Sequence, residues 1–438
     1  MKYSHPKFKV KWLLQLRITN YELRTTNYEL RITNYELRTT FAQRFRRKYY
    51  ELHIMARKIP LSWLQLTRDK SRLAVALAGI AFADILMFMQ IGFRDALYYS
   101  NVRLHGSLKG DIVLINQQSN ALLAMQTFSQ RRLYKALELE AVESVHPIYL
   151  DYTTWRNPVT GRPRSILIFG MNPETNLFDL PGVQENLERL RLPDVVLFDS
   201  SSREEYGPIA SELEKGNTLT AEVQRRRVKV DGLFTLGASF GADGNLITSD
   251  VNFLRIFANR QRGLIDIGLI RLRPGQNSTL VAEQLRNYLP TDINVLTKQE
   301  FIDFERNYWA SSTAIGFIFT LGTIMGFIVG TVIVYQILYT EVSDHLSEYA
   351  TLKAIGYTQN YLLTVILQEA LLLACLGYIP GWIVAMFMYS SARDATLLPI
   401  YMSYERAITV LVLTIIMCFV SGAIAVRKLR SADPADIF

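Results

Sequence analysis

Four apolar stretches, one near the front and three crowded towards the end, constrain this chain more than any other feature. A segment of roughly 19 uncharged residues is long enough to cross a ~30 Å hydrocarbon core as a helix. Leu73–Ile91, Ala310–Thr340, Ala370–Ala392 and Ala407–Val426 approach or meet that requirement. Asp84 alone interrupts the first, and the other three contain no Asp, Glu, Lys or Arg. With their flanks, the spans are set at 73–91, 310–340, 361–392 and 406–426. The fold class expected is an α-helical membrane protein with four transmembrane helices in a one-plus-three layout. A large α+β domain, 92–308, is inserted between helices 1 and 2.

Lys and Arg in short flanks set orientation. Arg57, Lys58, Arg68, Lys70 and Arg72 precede the first span, and Arg427, Lys428 and Arg430 follow the last. Both termini, the amphipathic segment 55–72 and the tail 427–438, are therefore expected in the cytoplasm of an inner (plasma) membrane protein. The inserted domain and the hairpin near Arg393–Arg406 are expected on the periplasmic side. The internal loop 341–360 breaks the charge rule, because Glu341, Asp344 and Glu348 outnumber Lys353. Its composition points to a task other than topology.

The net charge of +8 and pI near 9.3 would suit a nucleic-acid partner, but the excess is local. Residues 1–54 hold twelve of the 48 Lys/Arg and four of the 40 Asp/Glu, which accounts for all of it. The body is balanced, and no nucleic acid is expected. Within 1–54, Leu16–Glu22, Leu23–Glu29 and Leu30–Glu36 repeat one seven-residue unit. A coiled coil needs apolar a and d positions over several heptads, which these repeats lack. The leader reads as translated repetitive sequence or a disordered tail, with Met55 as the natural start.

Cys375 and Cys418 both fall inside spans, so no disulfide framework can hold the inserted domain. Asp111–Asn116, Gln130–Val145 and Ile148–Trp155 read as strand, amphipathic helix and strand, with Leu133, Leu137 and Val142 inward. The pattern returns at Ile267–Arg273, Thr279–Leu289 and Ile293–Leu296. These β-α-β pieces, 111–172 and 265–300, flank a turn-rich stretch, 173–262, that predicts a second, β-rich subdomain.

Catalytic motifs are weak. Gly237-Ala238-Ser239-Phe240-Gly241 matches G-x-S-x-G, but a turn sequence and not a helix follows Ser239, and His105 and His146, the histidines of the insert, both precede it. No G-x-x-x-x-G-K-[ST] phosphate loop, HExxH or CxxC occurs. The chain reads as a non-enzyme with no directly bound cofactor or metal. Asp84 is costly in hydrocarbon unless it faces the bundle interior or water; a structural hydrogen bond to a neighbouring helix is the expected use, and a polar contact within a transport path the alternative. Gly322, Gly326 and Gly330 lie four apart and permit close helix approach. In the internal loop, Glu348-Tyr349-Ala350-Thr351-Leu352-Lys353-Ala354-Ile355-Gly356-Tyr357 reads as a short helix ended by Gly356. It is well placed to receive a push from a cytoplasmic partner.

That loop resembles the coupling segment of MacB/FtsX-type ABC permeases, roughly R-E-[IF]-[AG]-x-L-[KR]-A-[LI]-G, with Ser347 where many relatives have Arg. Gln368-Glu369-Ala370 leading to Gly377 and Gly381 is similar to that family's third span, and Leu429–Asp436 to its closing motif. The wording of the loop is most similar to the DevC branch, permeases of cyanobacterial heterocyst glycolipid exporters. The resemblance implies a homodimeric permease of a type VII exporter that works with a separate ABC ATPase subunit, which alone binds ATP. It further implies a periplasmic adaptor, a TolC-like outer-membrane channel, and a glycolipid or similar lipid cargo. Glu348, Tyr349, Leu352, Lys353, Ile355, Gly356 and Tyr357 would meet the ATPase, with Leu352 and Ile355 as apolar plugs. The alternative is an FtsX-like signalling protein that controls a cell-wall hydrolase, whose relatives have a smaller external domain.

Overall fold

The computed structural model describes residues 61–431. The leader 1–54, the segment 55–60 and the tail beyond 431 lie outside the described residues. The chain divides into two compact units, one ending at Leu73 and the other beginning at Ala74. The first contributes helix α1 (Leu61–Arg68) and the opening turn of α2 (Lys70–Ser107). Asp69 caps that turn, its Oδ1 accepting the backbone N–H of Ser71 and Arg72 at 3.1 and 3.2 Å.

Helix α2 is much longer than the 73–91 span, because nothing after Ile91 stops it. Phe93–Ser107 contains neither Gly-Pro punctuation nor a turn signal, apart from Gly106 near its end. The helix therefore continues as a stalk into the inserted domain. There the chain enters a nine-stranded sheet of order β11-β1-β10-β3-β4-β8-β5-β7-β6. Its strands are β1 (Ile112–Asn116), β3 (Val142–Arg156), β4 (Pro163–Met171), β5 (Val195–Asp199), β6 (Leu219–Val223), β7 (Arg226–Phe234), β8 (Asn245–Ser249), β10 (Ile267–Leu272) and β11 (Ile293–Thr297). A separate ribbon pairs β2 (Phe128–Ser129) with β9 (Leu264–Ile265).

Both β10 and β11 run antiparallel to β1, and β10 runs antiparallel to β3. With helix α3 (Gln130–Lys135) between β1 and β3, and α4 (Ser278–Tyr288) between β10 and β11, this half is a double split β-α-β. The other half closes on itself. The far end of β3 pairs with β6 through Trp155↔Val223, so β3, β4, β8, β5, β7 and β6 form a ring without free edges. Strands expected as a separate insert thus share β3 and β4 with the α+β half.

Alternation along β1 divides the core. Ile112 and Leu114 join Leu133, Val281 and Leu285 on the helix-covered face, while Val113 and Ile115 face Leu104, Leu108 and Phe301. The helix expected over Gln130–Val145 is shorter. It passes into a 3-10 turn over Ala136–Glu138, and Val142 opens β3. Val142, Val145 and Pro147 favour extended backbone, Pro147 pairs opposite Gly268, and Leu137 is exposed, not inward.

Asp266, fully buried beside Arg260, accepts the Leu150 N–H at 2.8 Å. Burial pushes its carboxyl up to about 6 from 3.8, against the opposing pull of the Arg260 guanidinium. The folded state then holds a proton that the unfolded chain has released. Stability should fall as pH rises from about 4 to about 6, by on the order of 2 kcal/mol. Thermal melts across that window should show the slope in the wild type and a flatter one in Asp266→Asn.

After β11, helix α5 (Lys298–Asn307) starts from a capping box, in which Thr297 and Glu300 satisfy each other's backbone N–H. A π-helical turn over Tyr308–Ser312 follows, so the second span starts at Ala314 and not at 310. Helices α6 (Ala314–Asp344), α7 (Leu346–Ala354), α8 (Gln359–Thr396) and α9 (Tyr404–Ser431) complete the chain. Among the described residues, α2, α6, α8 and α9 are the helices long and apolar enough to cross a membrane.

Candidate coupling site and its connections

The internal loop is almost wholly helical. Helix α6 runs on to Asp344, His345 breaks it, and α7 begins at the next residue. Gly356 ends α7 with φ +107°, which its lack of a Cβ permits. The Gly356 N–H donates to Lys353 and the Tyr357 N–H to Leu352, each at 3.1 Å, closing a Schellman turn.

This short helix has an anchored side and a presented end. Tyr349 is buried with Val342, Leu362, Ile366 and Val426, and Leu352 packs half-buried against the same cluster. Ile355, by contrast, is 71% exposed, Tyr357 is 44% exposed and stacks on Tyr361 at 4.8 Å, and Lys353 and Glu348 are exposed. The two residues expected as a pair of apolar plugs are therefore separated, Leu352 towards the bundle and Ile355 away from it. His345 lies 3.4 Å from Glu341 and 2.9 Å from Glu348, bridging the ends of α6 and α7.

The glycines noted in the spans converge on α2. A Cβ on Gly322, Gly326 or Gly330 of α6 would meet Gln90, Met87 or Ala83, and one on Gly377 or Gly381 of α8 would meet Ile80 or Asp84. Close approach within one chain explains all five. Asp84 is buried and its Oδ1 accepts the Thr414 hydroxyl of α9 at 2.5 Å, the interhelical hydrogen bond expected of it. Glu369 is equally buried, with neither carboxyl oxygen hydrogen-bonded among the described residues.

At the far end, the stalk of α2 grips the inserted domain. Asn101 accepts the Gly241 N–H at 3.2 Å, and Arg103 donates to the Leu236 carbonyl. The gripped loop contains Ser239, whose Oγ accepts the N–H groups of Gly241 and Ala242 at 3.1 and 3.0 Å. That is a side-chain-closed turn, and it lacks the helix a nucleophile elbow needs.

Sequence reading missed the join between α2 and α5. The His105 ring packs against Phe301, tilted by 46° with centroids 4.3 Å apart, and lies 3.5 Å from Glu305. Glu305 accepts the Leu122 N–H and the Trp309 indole N–H, both at 2.8 Å. The signal was present as a buried-face His and a Glu four residues before a Trp, but they lie far apart in sequence. Glu305→Gln swaps one acceptor oxygen for a donor that faces another donor, which should cost about 1–2 kcal/mol. Chemical denaturation would check this, and an unchanged midpoint would mean that water replaces the contact.

Residues 317–434 match the family described as FtsX-like permease C-terminal. Among solved structures, the chain is similar to the periplasmic region of MacB from Actinobacillus actinomycetemcomitans, at 17% identity and a TM-score of 0.32, over 45% of this chain and 92% of that one. It is also similar to the extracellular domain of the noncanonic ABC-type transporter YknZ from Gram-positive bacteria, at 13% identity and a TM-score of 0.28, over 42% and 98%. No curated protein matches.

Proposed function

We propose that the chain is the permease subunit of a MacB/FtsX-type ABC exporter, with α7 as the element that meets a separate ATPase. The observation that carries this reading is the construction of α7. Its base is locked by Tyr349 and Leu352 in the bundle, and its Schellman turn holds the apolar Ile355 and Tyr357 out to solvent. An exposed apolar knob on a fixed base can be pushed without being deformed. The match of 317–434 to an FtsX-like permease domain supports the same reading.

A stroke on α7 passes first to α6 and α8, between which it lies in the chain. From there it reaches α2 through the glycine contacts, and then the inserted domain through Asn101, Arg103 and the His105–Glu305 join. Two copies would act together, both termini would be cytoplasmic, and the inserted domain would meet an adaptor and a TolC-like channel. The cargo would be a glycolipid or similar amphiphile of the DevC type, taken from the periplasmic side.

The test is purification of the full chain from native membranes in mild detergent, with co-purifying chains identified and ATP hydrolysis assayed. An ATPase together with an adaptor is the expected result. An ATPase with a peptidoglycan hydrolase and no adaptor would move the assignment to signalling, and no ATPase at all would overturn it.

A further inference from the structure

A cleft of about 660 Å³ opens where α2 leaves its apolar stretch, beside the end of α5 and the hairpin that joins α8 to α9. Its level relative to the membrane follows from the sequence. The apolar span of α2 ends at Ile91 and the cleft begins at Asp95; that of α9 begins at Ala407 and the cleft ends at Arg406. Asp95 stands about one turn beyond the apolar span of α2 and Arg406 directly beside that of α9, so the lower rim of the cleft lies at the depth of lipid headgroups on the side of the inserted domain, while Arg103 rises further up the stalk.

The charges lining the cleft are not equivalent. Arg406 is spent on structure, donating to Asp95 at 2.9 and 3.1 Å and to the Tyr401 carbonyl at 2.6 Å. Arg103 uses one guanidinium nitrogen on the Leu236 carbonyl, and Arg306 has a 3.3 Å contact with Asp303 in which both side chains are about half exposed. Two guanidinium groups thus border the cleft with donors to spare, and the exposed Glu405 is the opposing charge. Tyr99 and Tyr401, 58% and 61% exposed, supply the amphipathic rings that favour a membrane interface.

We propose that this cleft binds the headgroup of an anionic lipid from the leaflet on the inserted-domain side, its tetrahedral oxyanion held by Arg103 and Arg306. Guanidinium forks match such an oxyanion in geometry as well as charge. The rim at headgroup depth and the tyrosine rings favour a lipid, whose headgroup reaches up from the rim to the two arginines, over a soluble anion, which would gain nothing from either. The volume, above the roughly 300 Å³ of a small ligand site, admits a headgroup with the start of its chains. The inference rests on the membrane placement of the helices and not on coupling to an ATPase.

The full chain in nanodiscs of equal phosphatidylglycerol and phosphatidylcholine, delipidated stepwise and weighed by native mass spectrometry, tests it. Wild type should retain phosphatidylglycerol over phosphatidylcholine by about fivefold or more, and Arg306→Gln should abolish most of that preference. Glu405→Gln, which removes the opposing charge, should strengthen it about threefold, a change that a purely structural role would not produce. Equal retention of the two lipids, an unaltered preference in a stably folded Arg306→Gln, or a weaker one in Glu405→Gln would overturn the proposal. Displacement of the lipid by millimolar glycerol 3-phosphate would reassign the cleft to a soluble anion.

Discussion

Replacing Ile355 by aspartate is expected to leave the protein folded in the membrane and to reduce capture of the proposed ATPase partner about tenfold or more. Ile355 is 71% exposed, so the change removes little packing. A carboxylate beside the C-terminus of α7 opposes the helix dipole by only about 0.3–1 kcal/mol. On a partner's apolar groove the same carboxylate would be desolvated without a counter-charge, which costs several kcal/mol. Leu352→Asp differs in kind, because Leu352 packs against Tyr349 and Leu362, and charge there should loosen the base of the helix. The measurement is co-purification of the proposed ATPase with each variant, alongside thermal melting of the chain alone. Loss of capture at unchanged melting temperature marks Ile355 as the contact. Normal capture by Ile355→Asp would remove the contact assignment, whatever happens with Leu352→Asp.

The four spans were legible because hydrocarbon imposes a rule that needs no tertiary information: an uncharged run of sufficient length must be helical. Gly356 as the end of α7 was legible for a similarly local reason, since a left-handed terminal residue selects glycine. What the sequence did not disclose depends on partners far along the chain. Leu352 and Ile355 look alike in sequence, and only the fold of α8 back past α7 puts Leu362 and Ile366 against one of them. Of the 15-residue β3, Ile148–Trp155 was legible as a strand, but its first residues hid behind a helical pattern at Gln130–Val145 until pairing with β10 overrode local propensity. His105 and Glu305 are separated by the whole inserted domain, so their junction exists only once that domain has folded. The glycine spacing indicated close packing, yet α2 as the common partner of five glycines required the bundle itself.

Of Gly330 and Gly381, Gly381 should be the less tolerant, although Gly330 has the shorter contact. A Cβ at Gly330 would lie 2.2 Å from the Met417 sulfur and 2.7 Å from Ala83 Cβ; one at Gly381 would lie 2.9 Å from Asp84 Cβ and 3.2 Å from the Ala81 backbone. Distance alone ranks Gly330→Ala as the worse change. The obstructing atoms narrow the difference, because the shortest Gly330 contact is the far end of a methionine with three rotatable bonds, which leaves the Ala83 Cβ as its rigid obstruction. At Gly381 the obstruction is the backbone of α2 and the root of Asp84, so relief requires α8 and α2 to move apart. That movement would also displace Asp84 from Thr414 and leave a carboxyl in the bundle without its hydrogen bond. Overpacking costs about 1–3 kcal/mol, and the lost Asp84–Thr414 hydrogen bond puts Gly381→Ala at the upper end of that range. Thermal melting of Gly381→Ala and Gly330→Ala in the same detergent should show the larger drop for Gly381→Ala. The reverse order would mean that Met417 is held rigidly and that α9, not α2, sets the closest packing in the bundle. Since α2 is also the stalk that grips the inserted domain, Gly381→Ala should impair the proposed export more than its loss of stability alone would explain.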